Sequence, residues 1–364
     1  MKRVALFLDR PYVDAHYCFT ELARHFAEGG YLVDLYHIEN PFNPPPAFYD
    51  TRIRLFRFPQ SVWQKADFWI RHLLKQDRRY DAVVGTPVMG AILANRVARL
   101  RRIPMIYLAD EVFDPEVNDH ALKNIHQLKR IDRKINARAW CTIALGEERF
   151  RYQKEVNRLP NDHTCFVIPN APPGAADHLQ SHFYRDMFGL DDKPIVLLVG
   201  TLQWSLAKKI FEATRSFRDK PYHMVLQGRS KGSLLFQDHP FIKLSTMPLP
   251  SYLLNYAISS ADLGLVLYDQ SIPKEVVNAP TGGKIGAYLK NKLPLIAGNV
   301  DDFRRFETEG VGVFWDGEED IDAVIQRALG RRQMLAQNIP EFYEKNYNYS
   351  RFFQPLLNQL NEIV

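Results

Sequence analysis

Asn278-Ala279-Pro280-Thr281-Gly282-Gly283-Lys284-Ile285-Gly286-Ala287-Tyr288-Leu289-Lys290-Asn291-Lys292-Leu293-Pro294-Leu295-Ile296 reads as a loop, a short helix and the start of a strand. Pro280, Gly282 and Gly283 punctuate a turn, Ile285, Tyr288 and Leu289 follow at helical spacing, and Pro294 stops the helix before an apolar run. Glycines let backbone N–H groups approach a ligand closely, and a helix N-terminus carries partial positive charge. Thr281, Gly282, Gly283 and Lys284 are therefore candidates for holding a phosphate or pyrophosphate. The same residues also suit a helix-entry turn with no ligand, so the rest of the chain has to decide.

Upstream of this stretch the pattern is a repeated strand and helix. Pro194–Leu202 is a buried strand running into a loop, with a helix over about 206–217. His223–Gly228 ends in Gly228-Arg229, and Phe241–Leu244 is followed by Thr246-Met247-Pro248-Leu249-Pro250. A helix over 253–261, a strand over 262–267 and a polar loop over 268–277 with Lys274 and Glu275 lead into the turn. Downstream, 311–314 reads as a last strand and 321–329 as a surface helix.

The N-terminal half has the same rhythm. Val4–Leu8 is a strand, 9–16 a polar loop, 19–26 a helix ending at Gly29-Gly30, and 31–38 the next strand. In such βα units the loops at the carboxyl ends of strands hold ligands, which makes Asp9, Arg10, Asp14 and His16 candidates. No G-x-G-x-x-G follows the strand, which argues against a dinucleotide dehydrogenase. Arg52–Phe58 reads as an irregular sheet edge. A helix over 61–79 carries Trp63, Phe68, Trp69 and Leu73 with Lys65, Arg71, Lys75, Arg78 and Arg79. Its pattern fits a buried aromatic face beside a solvated basic one, with an anionic membrane surface as the alternative partner. Strands at 80–85 and 104–109 flank a helix at 89–100, and Asp110-Glu111 stands at the end of the second strand. A carboxylate there can accept the proton of an attacking hydroxyl, cap the next helix or pair with an arginine. Strands at 140–145 and 165–168 follow, and the proline and glycine of 169–174 make a linker.

Composition sets the outer limits. With 364 residues the chain exceeds one hydrophobic core, and 46% apolar with 24% charged residues is ordinary for a folded protein. Cys18, Cys141 and Cys165 are far apart, with no spacing for a metal or a disulfide framework, so no metal ligand set and a reducing, cytoplasmic setting are expected. A net charge of +5 favours anionic ligands and is too small to argue for nucleic acid.

Lys284, Tyr288, Leu289 and Pro294, with Val167-Ile168-Pro169-Asn170, resemble motifs of GT-B glycosyltransferases of the family 4 type. The resemblance implies an α/β fold of two Rossmann-like domains, parallel sheets flanked by helices, with a C-terminal helix crossing back to the N-terminal domain. The divisions expected are 1–175 for the acceptor, 176–345 for the nucleotide sugar and 346–364 for the returning helix. It further implies a donor site at Gly200, Thr201, Lys208, Lys209, Gly228, Arg229 and Pro248 together with 281–284, and a catalytic carboxylate at Asp110 or Glu111. The acceptor side would hold Asp9, Arg10, Asp14 and His16. The implied activity is transfer from a nucleotide-diphosphate sugar to a hydroxyl of a glycan or lipid-linked acceptor, with no cofactor besides the co-substrate and an anionic inner-membrane face as a candidate partner. This chain departs from the family pattern where paired glutamates become Ala279 and Ala287, and where an arginine becomes Thr201. That keeps a non-catalytic scaffold and a nucleotide-sugar epimerase in view.

Overall fold

The apolar runs become parallel strands because both of their faces are buried, so no polar position interrupts them. The computed structural model describes the chain except residues 11–12, 14–15, 40–47, 49, 75–78, 117–123, 201, 203, 215–219, 229–231, 248, 270, 272 and 299. It divides into two units, Met1–Pro169 with Tyr349–Val364, and Asn170–Asn348.

In the first unit, β1 (Arg3–Phe7), β2 (Leu32–His37), β3 (Ile53–Arg57), β4 (Ala82–Gly85), β5 (Met105–Ala109), β6 (Cys141–Ala144) and β7 (Cys165–Val167) form one sheet. They alternate with α1 (Tyr17–Glu28), α2 (Val62–Leu74), α3 (Met89–Arg101), α4 (Ile125–Asn136) and α5 (Glu147–Asn157). The sheet order is β3-β2-β1-β4-β5-β6-β7, with all pairings parallel and the 52–58 segment at the edge. Strand β1 shows why helices cover both faces. Val4 and Leu6 join a cluster with Leu22 and Phe26 of α1, while Ala5 and Phe7 pack with Phe68 of α2 and Val97 of α3.

The second unit contains α6 (Phe183–Phe188), β8 (Ile195–Val199), α7 (Trp204–Thr214), β9 (His223–Gln227), β10 (Ile242–Ser245), α8 (Ser251–Ile258) and β11 (Leu263–Val266). These are followed by α9 (Pro273–Asn278), α10 (Gly283–Lys290), β12 (Leu295–Gly298), α11 (Arg304–Thr308), β13 (Gly312–Trp315) and α12 (Ile321–Asn346). Its sheet order is β10-β9-β8-β11-β12-β13, again parallel. In both sheets the order reverses direction beside the first strand, at β1/β4 and at β8/β11, the place where open α/β sheets hold ligands.

The last helix, α13 (Tyr349–Ile363), returns to the first unit. Phe353, Leu356, Leu357 and Leu360 bury against the α1 side of the β1 sheet, and His25 Nε2 meets Ser350 Oγ at 2.8 Å. Gly29 leaves room there for the Leu357 methyls, since a Cβ would lie 2.8 Å from Leu357 Cδ2.

Three expectations change. The helix expected at 321–329 runs on to Asn346 through Pro340, because Leu335, Ile339, Phe342 and Tyr343 keep one buried stripe along it. The segment expected as an open loop at 268–277 ends in α9. On α2, Phe68 is buried but Trp63 is 84% exposed. Five residues turn a helix through about 140° beyond a full circle, so the two rings cannot share a face. The side chain of Leu73, and Lys75 and Arg78 altogether, lie outside the described residues. Among the described residues no helix is long and apolar enough to cross a membrane.

Candidate functional site

The anchor of the 278–296 stretch is Tyr288, which is fully buried on α10. Its hydroxyl accepts from Val199 N at 2.7 Å and donates to Leu197 O at 3.1 Å, tying the helix to β8. On the other side its ring lies so close to β11 that a Cβ on Gly264 would be 2.4 Å from it. Gly286 brings the same helix against Ala171, where a Cβ would come within 2.6 Å of the alanine methyl. These contacts fix the first turn of α10 at the carboxyl ends of β8 and β11.

At that place the expected residues converge. Lys284 Nζ stands 4.4 Å from the centre of the Tyr268 ring, and a Cβ on Gly200 would lie 3.9 Å from the same ammonium. Gly200 has φ +117°, a conformation that side-chain-bearing residues rarely adopt. Gly228 abuts it so tightly that a Cβ would meet Gly200 O at 2.1 Å. Gly282 enters α10 in an extended conformation, its α-carbon facing the Tyr268 hydroxyl, and Gly283 faces the Asn170 amide. Thr281 Oγ1 donates to Asn278 O at 3.2 Å and closes the turn. Gly200, Gly228, Gly282, Gly283 and Lys284 thus form one surface, cationic and without side-chain bulk, around Tyr268. Thr201, Arg229 and Pro248 lie outside the described residues. No spacing in the sequence marks Tyr268 and Asn170 as contacts of the turn. The signal was their position, one just after a strand and one at the end of Val-Ile-Pro-Asn.

Lys208 and Lys209 separate. Lys208 is exposed and reaches Glu212 one turn along α7 at 3.9 Å. Lys209 lines a cavity of about 310 Å³ behind Tyr268, with Leu206, Leu265, Asp269 and Trp315. Asp269 fastens this wall by accepting from Ser205 and from the Ser271 hydroxyl. Burial pushes its carboxyl up, but those hydrogen bonds and the charge of Lys209 outweigh burial and hold it below the usual range. Ala279 and Ala287, where the resembling family carries glutamates, are buried. The side chain of Glu275 lies outside the described residues.

In the first unit a second cluster forms where β1, β4 and β5 end. Arg10 donates through Nε to Asp110 Oδ2 at 2.9 Å, through Nη2 to Asp110 Oδ1 at 3.3 Å and through Nη1 to Asp9 Oδ1 at 3.1 Å. Asp9 also accepts from Thr86 Oγ1 at 2.7 Å and from the Met89 amide at 3.2 Å. Arg149 Nη1 donates to Asp110 O at 2.6 Å. Of the roles open to Asp110, pairing with an arginine is the one seen, and Glu111 stands half-buried next to it. Burial raises the Asp110 carboxyl to about 6, with Arg10 opposing and Glu111 and Asp9 adding to the rise. Burial raises Asp9 too, against the pull of Arg10. His16 is exposed just before α1, within electrostatic range of Glu111 and Arg10, and Asp14 lies outside the described residues. Thr86 and Arg149 were missed. A threonine after a strand and an arginine on a helix carry no spacing signal.

No family model and no curated protein matches the sequence. Solved structures match along its whole length. Sucrose-phosphate synthase from Thermosynechococcus elongatus is 16% identical, with 100% of both chains covered and a TM-score of 0.73. HepE from Anabaena, solved with UDP and glucose, is 13% identical over 100% of both chains with a TM-score of 0.70. WaaG, a glycosyltransferase involved in lipopolysaccharide biosynthesis, is 15% identical over 99% of both chains with a TM-score of 0.66. Two parallel-sheet units, the returning C-terminal helix and these likenesses give the chain the GT-B fold of glycosyltransferases.

Proposed function

We propose that the chain is a glycosyltransferase that takes a sugar from a nucleotide-diphosphate donor and passes it to a hydroxyl of a glycan or lipid-linked glycan. The observation that carries this reading is the Lys284 ammonium beside Gly200 at the first turn of α10, where glycine backbone and positive charge coincide. The complex of the similarly folded HepE with UDP and glucose supports the donor class.

In this reading the second unit holds the donor, with its diphosphate against the amides of Gly282 and Gly283 and the charge of Lys284. As the bond from the anomeric carbon to the diphosphate breaks, negative charge grows on the departing oxygen. A fixed cation and fixed N–H dipoles stabilise that charge more than they stabilise the intact donor, which is how such a site lowers a barrier. The first unit presents the acceptor. Arg10 holds Asp9 and Asp110 by hydrogen bonds from one guanidinium, and the Asp110/Glu111 pair takes the proton that the acceptor hydroxyl loses as its oxygen bonds to the anomeric carbon.

A panel of nucleotide sugars tests the proposal, with binding and release of nucleoside diphosphate followed with and without glycan acceptors. Release that depends on acceptor is the expected result. Binding with no release would leave only a scaffold, an epimerised donor would make the protein an epimerase, and no binding at all would refute the donor site.

A further inference from the structure

At the end of the first sheet opposite the Asp9/Asp110 cluster, the last turn of α3, the start of β5 and the turn from α4 into β6 enclose an open pocket of about 320 Å³. Its polar lining is Asn95, Arg99, Arg138 and Trp140, and Ile103 and Met105 form part of its apolar wall. Among the described residues no carboxylate lines it. Among the described residues the Arg99 and Arg138 guanidinium groups, the Trp140 indole N–H and the Asn95 amide have no hydrogen-bond or ion-pair partner.

The two arginines are not occupied in capping the helices. Ala98 O accepts from the Arg102 and Ile103 amides, and Arg133 O, Ile135 O and Asn136 O accept from the amides of 137–139. Main-chain amides therefore take the carbonyls of Ala98, Arg133, Ile135 and Asn136. Each helix C-terminus brings about half a negative charge, so two full guanidinium charges leave the pocket with a net charge of about +1. The two helices themselves add no acidic surface, and Asp81, just before β4, accepts from the Arg3 amide at 2.6 Å. Residues 89–104 contain no Asp or Glu, and the one carboxylate in 124–140, Asp132, is wholly buried. Arg96, Arg102, Arg130 and Lys134 are exposed on the same two packed helices.

We propose that this pocket binds the phosphoryl group of a phosphate ester, at a site separate from the glycine turn of the second unit. The chemistry is specific in kind. Arginine forks pair with phosphate oxygens bidentately, an indole N–H and an amide add neutral donors, and the wall formed by Ile103, Met105 and the indole suits an apolar part next to the phosphate. A soluble phosphate ester and a lipid phosphodiester share that chemistry.

The test titrates the intact protein with glycerol phosphate by calorimetry at low salt, and separately sediments it with vesicles of phosphatidylglycerol and of phosphatidylcholine. The variants are Arg99→Gln/Arg138→Gln, whose side chains are exposed and whose unfolding temperature is checked, and Lys284→Met, which weakens the other anion site. The expected result is binding in the wild type and in Lys284→Met, weakened by about tenfold or more in the double variant. Loss of glycerol phosphate binding alone marks a soluble ligand. Loss of sedimentation with phosphatidylglycerol, with phosphatidylcholine inert throughout, marks a lipid. The proposal is overturned if the wild type binds neither probe, if the folded double variant binds both as well as the wild type does, or if Lys284→Met alone removes the binding.

Discussion

Lys284→Met is the perturbation that bears most directly on the proposed donor site. Lys284 is half-buried and its ammonium sits over the Tyr268 ring at 4.4 Å, so methionine keeps most of the apolar contact and removes the charge with its N–H donors. The cation–π contact is worth roughly 0.5–1 kcal/mol and exists with or without ligand, so its loss shows in stability and cancels from affinity. A charged contact to a diphosphate contributes about 1.5–3 kcal/mol. At 1.4 kcal/mol per factor of ten, about 2 kcal/mol predicts roughly thirtyfold weaker binding of the nucleoside diphosphate that the wild type prefers. Calorimetric titration of that diphosphate measures it, with the parent nucleoside as control, whose affinity should not move. The wild type should also lose affinity faster than the variant as salt rises, because one screened attraction is gone from the variant. A diphosphate affinity within about threefold of wild type, or an equal loss for the nucleoside, would refute the placement of the phosphates.

Three further outcomes follow from the same contacts. Gly228→Ala places a methyl 2.1 Å from Gly200 O. Gly200 N and Gly228 N are both tied into the sheet at 2.9 Å, so the Gly200 loop must yield and diphosphate affinity should drop by about tenfold or more, as calorimetry would show. Tyr288→Phe leaves the buried Val199 N–H without its acceptor, and urea unfolding should show a loss of about 1–3 kcal/mol; a loss below about 0.5 kcal/mol would mean the hydroxyl is not the tie. Asp110 should titrate near pH 6 by carbon NMR of its carboxyl, and Arg10→Gln should move that midpoint up, since Arg10 is the neighbour that lowers it. Because the folded carboxyl holds its proton more tightly than an unfolded one, its contribution to stability is full below about pH 4 and is lost as pH rises through 6. A midpoint at the ordinary carboxylate value would contradict the burial argument.

Much of the fold is legible along the chain because its determinants are local. Runs such as Pro194–Leu202, buried on both faces, can be little other than parallel-sheet strands, and the glycine turn before Ile285 and the Pro294 stop bound a helix at each end. Failures came where a local rule met a longer-range contact. Pro340 should end a helix, yet α12 runs through it because the residues on either side keep an apolar stripe in the core. Trp63 and Phe68 look alike in composition but point about 140° apart, and only Phe68 meets Phe7 and Tyr36.

The site divides in the same way. The glycines and Lys284 were visible from their order, since turn chemistry is written within a few residues. That Lys284 lies against Gly200, that Tyr268 receives its charge and that Arg10 clamps Asp110 were decided by the tertiary structure alone. Residues 84 or 100 positions apart become neighbours through the parallel sheets, which bring separate strand ends to one edge, and no periodicity in the chain encodes that meeting.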